Sequence, residues 1–342
     1  MIADYEGRFT MLAIDQRGSM QKALAQSLGV EKDRVTHEDM AKMKAAITQV
    51  LAPYASGVLM DPVYGFSQSV VHVPKFAGIL LAQEESGYEQ VGTERRSTLV
   101  KGWSVAKTRQ CGADAAKIVI YYNPDCSEET LRYQHDFVRR MGEECEKHDM
   151  AFVFEPVSYP TDGGDADRAE YASAKPGIVR RTVEEFSKPE YKVDLLKLEF
   201  PADLKYTNEY AKAVFDEKER TPVYTLADVK EFLRAVDRAA THPWVILSAG
   251  VDIREFVEQV KLAVFAGASG FLCGRAIWKK ALGLYPDMDA VFSFLRSEGA
   301  QNFKNANAEV LSKALPWFDH KKFGGREKIE ILGQGESWYK QI

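Results

Sequence analysis

From residue 9 to residue 274 the chain repeats one alternation: a short apolar run, then a longer stretch with helical periodicity. Eight runs read as strands: Phe9–Asp15, Gly57–Asp61, Gly78–Gln83, Ala116–Tyr121, Ala151–Pro156, Leu195–Phe200, Trp244–Ala249 and Gly270–Gly274. Nearly continuous apolar character is what parallel strands covered on both faces require. Eight strand–helix units favour an α/β fold of the (β/α)8 TIM-barrel type over an open doubly wound sheet. No Gly-x-Gly-x-x-Gly follows a strand, which weakens a dinucleotide-binding sheet further.

The intervening helices carry their own start signals. Asp39–Leu51 places Met40, Met43, Ile47 and Val50 on an apolar side. Ser127, followed by Glu128 and Glu129, caps a helix whose apolar side is Leu131, Val138, Met141 and Cys145. Thr225 with Asp228 opens another, striped by Leu226, Val229, Phe232, Leu233 and Val236. Asp252 with Glu255 is expected to form a capping box before Ile253, Phe256, Val257 and Val260.

A barrel needs about 250 residues, and the chain has 342. Residues 1–283 are therefore assigned to a catalytic barrel. Residues 284–342 are expected to form a C-terminal extension of two helices and a tail packing on it. Trp317, Phe318, Phe323, Trp338 and Tyr339 make that tail aromatic enough to dock on its own barrel, at a subunit interface or over the active site.

A net charge of -5 argues against a nucleic-acid footprint, and no run is long and apolar enough to span a membrane. The N-terminus lacks the charged and apolar regions of a signal peptide. Cys111, Cys126, Cys145 and Cys273 form no C-x-x-C pair, which fits reduced thiols in a cytoplasmic protein. The six histidines are scattered, so a transition-metal site has little support and no cofactor is implied. Oligomeric state is open, a homo-oligomer included.

The chemistry gathers on polar residues inside apolar strands. In Leu195-Leu196-Lys197-Leu198-Glu199-Phe200, the two-residue alternation puts Leu196, Leu198 and Phe200 toward the helices and Lys197 and Glu199 into the barrel. Lys117 is likewise embedded in the fourth strand, the fifth ends Phe154-Glu155-Pro156, and the first ends Asp15-Gln16-Arg17. So many buried charges are costly unless they work. Desolvation and a second ammonium from Lys117 would lower the affinity of Lys197 for its proton, leaving an amine able to condense with a ketone. Glu155 is the carboxylate placed to move a hydroxyl proton, and Asp15 and Gln16 could hold substrate hydroxyls. On the last two strands Ser248-Ala249-Gly250 and Gly274-Arg275 offer a hydroxyl, small residues and a guanidinium suited to a phosphate.

These motifs resemble the tagatose 1,6-bisphosphate aldolase family of class I, Schiff-base enzymes, from about Phe9 to Leu282. The resemblance lies in Ala13-Ile14-Asp15-Gln16-Arg17, Gly112-Ala113-Asp114-Ala115-Ala116-Lys117, Tyr121-Tyr122 and Val193-Asp194-Leu195-Leu196-Lys197-Leu198-Glu199. Leu247-Ser248-Ala249-Gly250-Val251 and Leu272-Cys273-Gly274-Arg275-Ala276 complete it. It implies Lys197 as Schiff-base lysine, Glu155 as acid/base and Lys117 as its assistant. It also implies Asp15 and Gln16 as substrate contacts, with Ser248, Gly250, Gly274 and Arg275 at a C1 phosphate. The implied reaction cleaves a ketose bisphosphate to dihydroxyacetone phosphate and glyceraldehyde 3-phosphate, without metal.

Phe154-Glu155-Pro156-Val157 and Trp244-Val245-Ile246-Leu247-Ser248 look closer to the 6-deoxy-6-sulfofructose-1-phosphate aldolases, and the C-terminal extension runs past the usual end of the pattern. The group at the far end of the sugar decides between the two, with Arg17, Arg95, Arg96 and Lys101 as cationic candidates. Two rivals remain: a metal-dependent aldolase or isomerase on the same barrel, and a sugar-phosphate-binding regulator.

Overall fold

A computed structural model describes residues 2–329. Eight parallel strands close into a barrel: β1 (Phe9–Ala13), β2 (Gly57–Met60), β3 (Gly78–Ala82), β4 (Ala115–Tyr121), β5 (Ala151–Val157), β6 (Leu195–Leu198), β7 (Trp244–Ile246) and β8 (Gly270–Cys273). Every expected strand is present, with ends shifted by one to three residues. β8 returns to β1, pairing Phe9 with Gly270 and Leu12 with Cys273. The backbones cross so tightly there that a Cβ at Gly270 would lie 1.9 Å from the carbonyl oxygen of Phe9, which only glycine avoids.

The alternation of side chains divides the core in two. Met11, Ala13, Leu80, Ala115, Val153, Leu195 and Leu272 fill the lower barrel interior. Leu12, Val58, Ile118, Phe154, Leu196 and Phe271 face outward and meet the helices. Above the interior apolar layer, toward the C-terminal ends of the strands, the inward positions turn polar.

The helix expected from Asp39 starts at His37, because Thr36 is the cap and forms a reciprocal capping box with Asp39. Ser127 caps Glu128–Lys147 through the N–H of Thr130, and Thr225 and Asp228 form a second box. The third expected box does not form. Asp252 accepts from the N–H of Arg254, while Glu255 turns inward, is almost wholly buried and takes a 3.3 Å hydrogen bond from Gln259. Burial and the neighbouring Asp203 push its carboxyl up to about 7, against the pull of Lys205 and Lys175.

After β8 the chain forms a short helix, Arg275–Leu282, and then Met288–Phe294 and Ala300–Lys313, joined by a π-helical turn at Leu295–Gly299. The last helix covers the outside of the β8–β1 seam. Phe303 meets the ring of Phe271 at 5.7 Å, and Arg8 and Asn307 tie the helix to the barrel by hydrogen bonds. Beyond it, Trp317 donates its N–H to Gly7 O and packs on Ala3 and Phe9 at the N-terminal end of the barrel. The described tail thus sits opposite the polar end. Trp338 and Tyr339 lie outside the described residues. Among the described residues, no helix is long and apolar enough to cross a membrane.

Candidate active site

The C-terminal mouth of the barrel holds a cavity of about 530 Å³ that Asp15, Glu84, Lys117, Glu155, Lys197 and Arg275 help to line. Its size and position are those of a small-molecule site on such a fold. Strand register explains which groups meet. Val153 of β5 stands opposite Leu195 of β6 and Lys117 of β4. Two residues further along, Glu155 and Lys197 face inward on the next layer, with Lys117 just beneath them.

The result is a network around two ammonium groups. Lys197 Nζ donates to Glu155 Oε2 at 2.8 Å. Lys117 Nζ lies 2.8 Å from that same oxygen, 2.9 Å from Asp15 Oδ2 and 2.8 Å from Glu84 Oε1. Burial alone would lower the pKa of Lys117, but the carboxylates of Asp15, Glu155 and Glu84 outweigh it and hold it well above the usual lysine value. Burial also opposes ionisation of Asp15 and Glu155. The two ammonium groups overcome it and keep both carboxyls below their usual range. Glu84 is the exception: burial wins over Lys117 and its pKa is raised. One charged lysine is thus locked among acids while the other shares a single carboxylate oxygen.

Several acceptors facing this network are idle. Asp15 Oδ1, Gln16 Oε1 and Glu84 Oε2 are buried and have no hydrogen-bond partner among the described residues. A buried acceptor without a partner costs on the order of 1–3 kcal/mol, so three at the rim of one cavity mark where a polyhydroxylated ligand would donate. Arg17 lines the same rim. Its guanidinium is tied to Glu84 O and, at 3.4 Å, to Glu85.

Across the mouth, Ser248, Ala249, Gly274 and Arg275 line the cavity, and Gly250 lies directly behind Arg275. Ala249 and Gly250 are both left-handed, at φ 48° and 82°, and Val251 N–H closes the turn on Ser248 O. Lys279 clamps the turn by donating to Gly250 O at 2.8 Å. Gly274 must be glycine, since a Cβ would fall 2.4 Å from Ala13 O. Arg275 follows at the first turn of its helix, and among the described residues no carboxylate pairs with it. A hydroxyl, a guanidinium without a carboxylate partner among the described residues and a helix N-terminus together could receive an anion.

Not every expected residue belongs. Glu199 accepts from Ser158 N–H at 2.6 Å, lies 3.0 Å from Lys175 Nζ and does not line the cavity. β6 ends at Leu198, so strand alternation no longer governs the next side chain. Arg95 is stacked over the rings of Tyr88, Tyr121 and Tyr159, and Arg96 pairs with Glu129. Lys101 is exposed. Glu84 was missed, although its signal was present. It lies two residues past Ala82 on the inward alternation, as Glu155 lies two past Val153.

Comparison with known proteins agrees with this geometry. The DeoC/LacD family aldolase model matches residues 9–280. Tagatose 1,6-diphosphate aldolase 2 of Enterococcus faecalis is 35% identical over 322 residues, covering 92% of this chain and 93% of its own length. The tagatose 1,6-diphosphate aldolase of Lactococcus lactis is 34% identical, covering 93% and 95%. Among solved structures, a fructose-bisphosphate aldolase from Plasmodium falciparum superposes with a TM-score of 0.65 over 89% of this chain and 91% of that one, at 15% identity. A Schiff-base-forming fructose-1,6-bisphosphate aldolase does so at 0.54, with 15% identity over 90% and 96%. Both structural likenesses speak for the barrel. With the family profile spanning every barrel strand and relatives alike over nearly their whole length, this chain belongs to the DeoC/LacD family of aldolases.

Proposed function

We propose that the protein is a class I aldolase that cleaves tagatose 1,6-bisphosphate to dihydroxyacetone phosphate and glyceraldehyde 3-phosphate, with Lys197 as the Schiff-base residue. The observation that carries this reading is the shared Glu155 oxygen, 2.8 Å from Lys197 and from Lys117. Transfer of the Lys197 proton to Glu155 frees an amine, while Lys117 stabilises the carboxyl network from the other side. The amine adds to the C2 ketone, Glu155 returns its proton to the departing carbinolamine hydroxyl, and water leaves to give an iminium. Glu155, again a carboxylate, takes the proton of the C4 hydroxyl. The C3–C4 bond then breaks, its electron pair flowing into the iminium to give an enamine, and the aldehyde departs. Protonation at C3 and hydrolysis release dihydroxyacetone phosphate and restore the lysine.

The C1 phosphate is assigned to Ser248, Gly250, Gly274 and Arg275, and the sugar hydroxyls to the idle acceptors of Asp15 and Gln16. The substrate is a small sugar phosphate, and four unpaired cysteines suit work in the cytoplasm. The test is reduction with borohydride in the presence of dihydroxyacetone phosphate, followed by peptide mass analysis. The expected result is one adduct on Lys197. Full cleavage activity in Lys197→Ala would end this reading. A panel of tagatose and fructose 1,6-bisphosphates and 6-deoxy-6-sulfofructose 1-phosphate tests the sugar, tagatose 1,6-bisphosphate being the expected best substrate.

A further inference from the structure

Helix His37–Leu51 carries a lysine within its apolar face. Lys44 lies between Met40, Met43 and Ile47 and has no exposed surface. Its ammonium donates to Asp61 Oδ2 at 2.7 Å and to two backbone carbonyls, Ile14 O at 2.5 Å and Gln16 O at 2.8 Å. Three donors meet three acceptors, so the group is saturated. The two carbonyls flank Asp15 on either side.

Asp61 is equally buried and equally fixed. Its Oδ1 accepts from the N–H groups of Val63 at 3.0 Å and Tyr64 at 2.8 Å. The turn closes so tightly that a Cβ at Gly65 would lie 2.9 Å from Asp61 Oδ2. The pair is therefore held by β2's exit turn on one side and reaches β1's exit turn on the other.

Stability alone does not account for a charged pair here. Burying two charges costs roughly what their attraction returns, and apolar residues of like volume do as well or better. What an apolar residue cannot do is hold two carbonyls that lie past the end of β1, beyond the reach of the barrel ladder. Between them, Asp15 accepts from Lys117, and Asp15 Oδ1 and Gln16 Oε1, beside the cavity, have no partner among the described residues.

We propose that Lys44, neutralised by Asp61, is a positioning residue that fixes the Asp15–Gln16 segment against Lys117 and sets its acceptors for the substrate hydroxyls. It touches no substrate and acts through the two carbonyls it clamps. The inference rests on the Schiff-base reading above, and one titration separates the two.

The test uses Lys44→Met combined with Asp61→Asn, which removes both charges together and keeps an acceptor for Val63 and Tyr64. Active sites are counted as dihydroxyacetone phosphate trapped per chain by borohydride, and kcat for ketose bisphosphate cleavage is divided by that count. The expected result is near one trapped site per chain, with kcat per trapped site at least tenfold below wild type. An unchanged kcat per trapped site means the pair serves only folding and overturns the proposal. Should the double variant fail to fold, Lys44→Arg takes its place. It keeps the charge against Asp61 but carries its donors farther along, so kcat per site should fall at least fivefold. A folded Lys44→Arg protein with wild-type kcat per site overturns the proposal equally. Wild-type protein that traps nothing overturns the Schiff-base reading itself, and with it the role given to Lys44.

Discussion

Lys117 and Lys197 reach one oxygen of Glu155 from two layers of the barrel, each at 2.8 Å. The lower lysine is surrounded by acids and cannot easily lose its proton, whereas among the described residues Lys197 pairs only with the acid that both share. Glu155→Gln keeps the shape and a hydrogen-bond acceptor but removes the base. Cleavage should fall by about 10²- to 10⁴-fold, while dihydroxyacetone phosphate is still trapped on Lys197 after long incubation. Steady-state kinetics beside the trapping assay separate the two steps.

Removing Lys117 leaves Asp15, Glu84 and Glu155 without their common cation. Breaking a buried ionic cluster in this way costs about 3–5 kcal/mol, so Lys117→Met should lose that much in urea unfolding at neutral pH. In the wild type, Asp15 and Glu155 have lowered pKa values in the folded state. Their contribution is present above the unfolded values near pH 4 and is lost as pH falls through the folded ones. The variant's deficit should therefore shrink below about pH 4, where protonation removes the stranded charge. A deficit constant down to pH 3 would contradict the network.

Arg275, without a carboxylate partner among the described residues, stands beside Ser248 and the left-handed turn at Ala249–Gly250. A charge-assisted hydrogen bond to phosphate is worth about 1.5–3 kcal/mol. Arg275→Met should therefore weaken binding roughly tenfold to a hundredfold, read as KM for the bisphosphate and as Ki for inorganic phosphate. Equal loss of kcat with unchanged KM would place the phosphate elsewhere.

Glu255 carries a pH dependence of the opposite sign. Its folded pKa, raised to about 7 by burial and Asp203, exceeds the unfolded value. Stability from this group is complete below about pH 4 and declines as pH rises through 7, by about 3 kcal/mol in all. Glu255→Gln should remove that decline, so that melting temperature changes less between pH 5 and pH 8 than in the wild type. Parallel melting curves for the two proteins across that range would refute it.

Strand alternation found Lys117, Glu155 and Lys197 because each sits inside a strand that is apolar on its outward face. The same rule failed for Glu199, one residue past the last rung of β6, and it was not extended to Glu84, just past β3. Glu255 looked like a capping residue because its spacing from Asp252 fits a box. The inward turn of its side chain brings it beside Asp203 and Lys205, which no local pattern reports.

The order of apolar runs by itself determined the barrel, since eight parallel strands buried on both faces leave few other closed arrangements. It also determined that Lys117, Glu155 and Lys197 would point inward, because side-chain direction in a strand follows from backbone geometry. Only the tertiary structure decided that Lys117 and Lys197 share one oxygen, that three acids surround the first, and that Lys44 reaches around β1 to clamp the carbonyls beside Asp15. Those contacts join residues up to 102 positions apart. They depend on the register of neighbouring strands and on how a helix lies over them, to within an ångström, and periodicity along the chain carries no such information.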